Sequence, residues 1–312
     1  MSVVSTSQPR PTLLGKLTLA AADIKLAHSV FAMPFALLAA FMARPVGSSN
    51  STFAGQLTLI VLCMVLGRTW AMLVNRLADR SIDAANPRTQ RRVLASGRLG
   101  ARDGLAIALG CAGLFVGVCS LFWVLFANPW PLILSVPVLA WIGFYSFTKR
   151  FTALCHVFLG GALAASPIAA AIAINPASLA ALPALWLLAG MVLMWVAGFD
   201  VIYGLQDIEF DRGAGLHSIP AALGWERAIW VSRALHVGAF AMLVLAARPV
   251  GREARFGPVF FGAVGLVGLL LIVEHAILAK RGRAGLDMAF FTVNGVVSCV
   301  LGVAGVVDLT VL

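Results

Sequence analysis

Apolar runs long enough to cross a bilayer recur nine times along the chain, with nearly all the charge between them. They fall at about 20–43, 55–78, 104–127, 130–148, 151–174, 183–206, 226–247, 257–279 and 287–311. About 20 apolar residues carry a helix across a hydrocarbon core roughly 30 Å thick. Turn residues mark the breaks: Gly47-Ser48-Ser49-Asn50, Asn128-Pro129-Trp130-Pro131, Asn175-Pro176 and Pro183. No charge separates the third run from the fourth between Asp103 and Lys149, so the split there rests on the Asn-Pro-Trp-Pro cluster. The expected fold is all-α: one integral membrane bundle of nine transmembrane helices over residues 1–312, with a polar tail at 1–16.

Composition closes off other classes. Only 12% of the 312 residues are charged, about half of what a soluble domain carries. The net charge of +10 does not point to nucleic acid, because the basic residues sit in loops where anionic headgroups would meet them. The five cysteines, Cys63, Cys111, Cys119, Cys155 and Cys299, form no CxxC pair and read as small buried hydrophobes. The N-terminus does not read as a cleaved signal, since Asp23 and Lys25 interrupt the first apolar run.

The basic residues also set an expected orientation. Arg10, Lys16 and Lys25 precede or open span 1, and Arg80, Arg88, Arg91, Arg92, Arg98 and Arg102 lie between spans 2 and 3. Lys149 and Arg150, Arg212 and Arg227, then Lys280, Arg281 and Arg283 fill the later even-numbered loops. The opposite side carries Arg44 and a cluster at Arg248, Arg252 and Arg255. The positive-inside rule therefore puts the N-terminus and the even-numbered loops in the cytoplasm, as in a bacterial inner membrane.

Against this background two acidic sets stand out: Asp79 and Asp83 in "NRLADRSID", and Asp200, Asp207, Glu209 and Asp211 in "FDVIYGLQDIEFD". An aspartate at mid-membrane costs about 2.5–3.5 kcal/mol, so these residues belong near the interface, with cations, or both. Asn75, Asp79 and Asp83 are spaced i, i+4, i+8, and Asp200, Asp207 and Asp211 i, i+7, i+11. Each set lies on one face of a helix, with Tyr203 beside the second set and Glu209 roughly opposite. Both sets end even-numbered spans, so both emerge on one side of the membrane. Mg²⁺ takes oxygen ligands, commonly one or two carboxylates plus substrate phosphates, and neighbouring arginines suit the remaining anionic oxygens. The implied ligand is a Mg²⁺-bound diphosphate at the membrane edge.

These residues resemble the UbiA superfamily of intramembrane aromatic prenyltransferases over nearly the whole chain. "KLAHSVFAMPF" (25–35) is similar to its first-helix signature, and "NRLADRSIDAANPRTQRRVLASG" (75–97) to its first Asp-rich motif and loop. "YSFTKRFT" (145–152) is similar to the end of its fourth helix, and "FDVIYGLQDIEFDRGAGLHSIPAALG" (199–224) to its second motif. The resemblance implies Mg²⁺-dependent transfer of a polyprenyl group from its diphosphate to an aromatic ring. By position, Asp79, Asp83, Asp207 and Asp211 would bind metal, with Asn75 beside them on the diphosphate. Asp200 and Tyr203 match the run before the second motif, and Arg68, Lys149 and Arg150 would be anion contacts. Two departures from the family pattern are Arg76, where many members have aspartate, and Val93, where many have proline. The Asn-Arg form and "GLHSIPA" resemble the 4-hydroxybenzoate polyprenyltransferase-like branch. The implied acceptor is 4-hydroxybenzoate or 1,4-dihydroxy-6-naphthoate, in ubiquinone or menaquinone biosynthesis.

An allylic cation needs a dry pocket and aromatic faces; Trp70, Trp195, Phe199 and Tyr203 lie within two turns of the acids. His28 on span 1 and His217 after the second motif read as structural or capping residues. The glycine runs Gly110-x2-Gly113-x3-Gly117 and Gly262-x2-Gly265-x2-Gly268 read as helix-packing surfaces. Competing readings are a cation-coupled transporter, which would keep its acids near the midplane, and a haem O or chlorophyll synthase relative.

Overall fold

The structure is a computed structural model that describes residues 12–24, 31–248 and 256–311. Arg10, Lys25, His28, Arg252 and Arg255 lie outside the described residues.

The helices are α1 (Leu13–Ile24), α2 (Met33–Met42), α3 (Asn50–Ala78), α4 (Arg80–Ala85), α5 (Ala101–Phe126), α6 (Trp130–Thr148) and α7 (Cys155–Ile174). They continue as α8 (Ser178–Ala181), α9 (Pro183–Gly204), α10 (Ile208–Gly213), α11 (Ile219–Ala247), α12 (Pro258–Arg281) and α13 (Asn294–Val311). Among the described residues eight helices are long and apolar enough to span a membrane, and each matches one of the runs 2 to 9. Run 1 differs. Its described parts are the shorter apolar α2 and the end of α1, a helix that carries Lys16 and Asp23.

Polar contacts explain why α1 stays with the loop between α3 and α5. Asp23 accepts from the backbone N–H of Val93 at 3.0 Å and pairs with Arg76 at 3.4 Å, while Lys16 meets Asp103 at 2.8 Å. Ala20 and Ile24 pack with Leu73, Val93, Leu94, Leu99 and Ala108 beneath those pairs. The turn at 127–129 ends α5 as the Asn-Pro pair predicts. Ala127 adopts a left-handed conformation, and Asn128 donates to the carbonyls of Ile172 and Ala173 at 2.8 and 3.1 Å.

The expected glycine surfaces are corrected by the packing. A Cβ added at Gly110, Gly113, Gly117, Gly262 or Gly265 would meet no atom within 4 Å; of the two runs only Gly268 packs closely, against Phe240. The close approaches lie elsewhere. A Cβ at Gly160 on α7 would run into the backbone carbonyl oxygen of Leu193 on α9, and one at Gly198 into the His236 ring on α11. α9 is thereby clamped between α7 and α11, with Trp195, Val196 and Val201 fully buried. That makes α9, the carrier of the second acidic set, the central helix of the bundle.

Candidate active site

Both acidic sets sit where a long helix breaks. α3 ends at Ala78, and Asp79 (φ −92°, ψ 8°) links it to α4. α9 ends at Gly204, a 3₁₀ turn covers Leu205–Asp207, and Asp207 (φ −107°, ψ 9°) opens α10. The continuous face expected for each set is therefore interrupted. Both aspartates occupy the sparsely allowed bridge region, where many active-site residues sit. Helical backbone pairing survives across the first break, with the Asp83 N–H reaching the Asp79 carbonyl at 2.7 Å.

Each carboxylate of the first set is buried and met by cations. Asp79, 2% exposed, pairs with Lys149 at 2.6 Å and Arg150 at 2.9 Å. Arg150 also donates to the last carbonyl of α3, at Ala78, at 2.7 Å, and so ties the end of α6 to the end of α3. Asp83 receives Arg92 on both oxygens at 2.8 and 2.9 Å. Asn75 donates to Asp79 at 3.4 Å and accepts from Arg76 at 3.1 Å.

The second set is joined to the first through the loop after α4. Asn86 donates to Asp207 Oδ1 at 3.1 Å, and the Arg88 Nε donates to the same atom at 3.0 Å while its Nη2 holds Oδ2. Arg88 Nη1 also donates to the Tyr203 hydroxyl at 2.9 Å. Burial opposes the charge on Arg88, but Asp207 and Tyr203 outweigh it, so its pKa is raised above the ordinary arginine value. Asp211 accepts from Ser218 at 2.9 Å. Glu209 pairs with Arg283 at 3.5 Å and is largely exposed. The His217 N–H donates to the Lys149 carbonyl at 2.7 Å, which brings α6 and the α10–α11 turn to the same end of the bundle.

Two predicted residues, Arg68 and Asp200, make no contact with this ion-pair cluster, and Tyr203 borders it through Arg88. Arg68 lines an apolar cavity of about 350 Å³ between α3, α5, α6 and α7, with its Nε buried and without a hydrogen-bond partner. Asp200 meets His156 Nδ1 at 2.7 Å. Tyr203 stacks on Phe290 at 4.1 Å and continues an aromatic series through Phe199, Trp195, Phe31 and Phe35. Trp70, by contrast, donates to the Leu139 carbonyl and packs between α3 and α6.

Asn86, Arg88, Arg92, His156 and Ser218, which contact the predicted aspartates, were not singled out as candidate site residues in the sequence. Arg88 and Arg92 did register there, as loop charge that fixes orientation. No signal marked His156.

The carboxylate set suits a hard cation. Among the described residues no three His, Cys, Asp or Glu side chains form a ready metal cluster. Mg²⁺ does not need one, because it keeps waters and takes phosphate oxygens beside one or two carboxylates. The donors here are all oxygen, with cationic side chains alongside.

Residues 32–296 match the model of the UbiA prenyltransferase family. A 4-hydroxybenzoate octaprenyltransferase of Nitrosomonas eutropha is 30% identical over 240 residues, covering 77% of this chain and 79% of that protein. A UbiA homologue from Aeropyrum pernix K1 superposes with a TM-score of 0.79 at 31% identity, over 91% of this chain and 98% of that one. A UbiA homologue from Archaeoglobus fulgidus, solved bound to DMAPP and Mg²⁺, shares the fold at 15% identity, with a TM-score of 0.68 and coverage of 94% and 99%. The matched residues 32–296 cover the cavity and both acidic sets, and the match sets the transporter reading aside: the chain belongs to the UbiA prenyltransferase family and is a polyprenyltransferase.

Proposed function

We propose that this enzyme transfers a polyprenyl group from its diphosphate to an aromatic acid, 4-hydroxybenzoate or 1,4-dihydroxy-6-naphthoate, in quinone biosynthesis. The names of its curated relatives favour the first acid and weigh against a haem O synthase. The observation that carries the reading is the bridge from Asn86 and Arg88 to Asp207, beside Asp79 with Lys149 and Arg150. Two acidic sets joined at one end of the bundle, each with its own cations, match a ligand bearing both a divalent metal and a diphosphate.

Asp79, Asp83, Asp207 and Asp211 would hold Mg²⁺, and Asn75 would lie against the diphosphate. The ion would supply Lewis-acid neutralisation of the diphosphate; the A. fulgidus neighbour with this fold was solved with Mg²⁺ and DMAPP. Lys149, Arg150, Arg88 and Arg92 add fixed positive charge where the leaving group gathers negative charge, the preorganised electrostatics that lower such barriers. Tyr203 is the partly exposed member of the aromatic series and would offer its ring to an allylic cation, with Phe290, Phe199 and Trp195 buried behind it and excluding water that would capture the cation. Arg68, with a free buried donor in an apolar cavity, suits the acceptor's carboxylate, and the cavity's open apolar walls suit the prenyl chain. The loop charges favour a site facing the cytoplasm in a bacterial inner membrane.

The test is direct. Purified protein in lipid nanodiscs is given Mg²⁺, a polyprenyl diphosphate and each aromatic acid in turn, and the product is weighed by mass spectrometry. A prenylated acid that disappears with a chelator supports the reading; no prenylated product with any acid refutes it.

A further inference from the structure

We propose that Asp200 is the base that removes the proton from the prenylated ring, and that His156 is the positioning residue that aims it. The inference rests on the prenyl-transfer reading above.

Asp200 differs from its neighbours in what it touches. Asp79, Asp83 and Asp207 are each neutralised by lysine or arginine, and Asp211 is held by Ser218. Asp200 meets only an imidazole: its Oδ2 lies 2.7 Å from His156 Nδ1, and its Oδ1 has no partner among the described residues. The Asp200 side chain keeps 22% of its surface open, against 4% for His156. The carboxylate is therefore the accessible member and the histidine stands behind it.

The imidazole is fixed from three sides. Its Nε2 accepts from the Ile219 backbone N–H at 3.4 Å, which leaves the ring proton on Nδ1, directed at Asp200. Gly204 packs so close that a Cβ there would stand 3.2 Å from Cε1. One turn along each helix, Gly160 lets α7 close onto Leu193 and Ala197 of α9, and that contact sets His156 opposite Asp200. The pair is connected to the cavity through one residue. Tyr145, a lining residue, lies within electrostatic reach of both Asp200 and Arg68. An aromatic acid whose carboxylate sits on Arg68 thus has Tyr145 and Asp200 as its polar neighbours.

The chemistry balances without a further reactant. The allylic C–O bond breaks and its electron pair leaves with the diphosphate. A ring carbon forms the new C–C bond, and the ring becomes a cation holding both the prenyl group and the original hydrogen. That proton passes to Asp200 Oδ1 while the C–H electron pair restores the aromatic ring. The neutral carboxyl then gives its proton to water as products leave.

The experiment compares wild type with Asp200→Asn, His156→Gln and His156→Leu in nanodiscs, using acceptor that carries hydrogen or deuterium at the position of attack. Asp200→Asn is expected to lower kcat by about 10²-fold or more, the worth of a general base. It should also raise the isotope effect above the wild-type value and leave the KM for prenyl diphosphate and the Mg²⁺ requirement near wild type. His156→Gln keeps a donor toward Asp200 and should retain most activity; His156→Leu should share the enlarged isotope effect, a readout independent of whether Asp200→Asn folds. Unchanged isotope effects in Asp200→Asn and His156→Leu overturn the proposal, as does an Asp200→Asn defect that extra Mg²⁺ repairs. Wild-type protein that forms no prenylated product overturns the parent reading instead.

Discussion

Asn86 and Asp207 stand 121 positions apart in the chain, yet the Asn86 amide donates to the Asp207 carboxylate at 3.1 Å. Arg88 seals the same junction with two further donors. The loop after α4 is thus a strap joining the two helix breaks into one polar end of the bundle, and its residues carry testable weight.

Arg88→Lys keeps the charge and removes the fork that serves Asp207 and Tyr203 together. Lysine is a point charge on a flexible stem and does not replace a planar guanidinium at such a site. The variant should lose roughly 10-fold or more in kcat/KM, the worth of a hydrogen bond between charged groups. Wild-type steady-state kinetics for Arg88→Lys would contradict the strap.

Arg68→Gln should act on the acceptor alone. It removes the cation from the cavity wall, so KM for the aromatic acid should rise roughly 10–100-fold, as for loss of a charge-assisted hydrogen bond. KM for the prenyl diphosphate should hold. Equal rises in both would place Arg68 with the diphosphate instead.

Gly160→Ala and Gly110→Ala form a matched pair. The first pushes a methyl group into the Leu193 carbonyl, whereas the second meets open space. Overpacking typically costs about 1–3 kcal/mol, so only Gly160→Ala should lower the thermal unfolding midpoint in detergent. Equal midpoints would mean that α7 and α9 are not in close contact.

Asp308 is 3% exposed and accepts from the backbone N–H groups of Gly257 and Phe260 at 2.8 Å each, at the start of α12. Those donors would otherwise lie unpaired at a buried helix end. Asp308→Ala should cost about 1–2 kcal/mol, as loss of an N-terminal cap does, without changing KM for either substrate. A KM shift would give this residue a role beyond capping.

Eight of the nine runs were legible because spanning length is a constraint imposed by lipid, and the aspartates because charge there is rare. What escaped depends on tertiary contact. His156 gains meaning only when Gly160 closes α7 on α9. Arg88 and Arg92 look like ordinary loop charge until the strap folds onto Asp207 and Asp83. Spacing alone could not reveal the helix breaks at Asp79 and before Ile208, since aspartate fits both a helix and the bridge region. The glycine runs misled for a related reason: the same spacing occurs whether a helix face meets another helix or lipid.

The central claim is that the two acidic sets grip one ligand together. The decisive measurement is equilibrium binding of a non-hydrolysable prenyl diphosphate analogue, with Mg²⁺, to wild type, Asp79→Asn, Asp207→Asn and the double variant. If the sets share the ligand, either single substitution loses most of the binding and the double loses little more, a strongly non-additive cycle. Losses that simply add, or a single variant that binds like wild type, would mean that the two sets act separately.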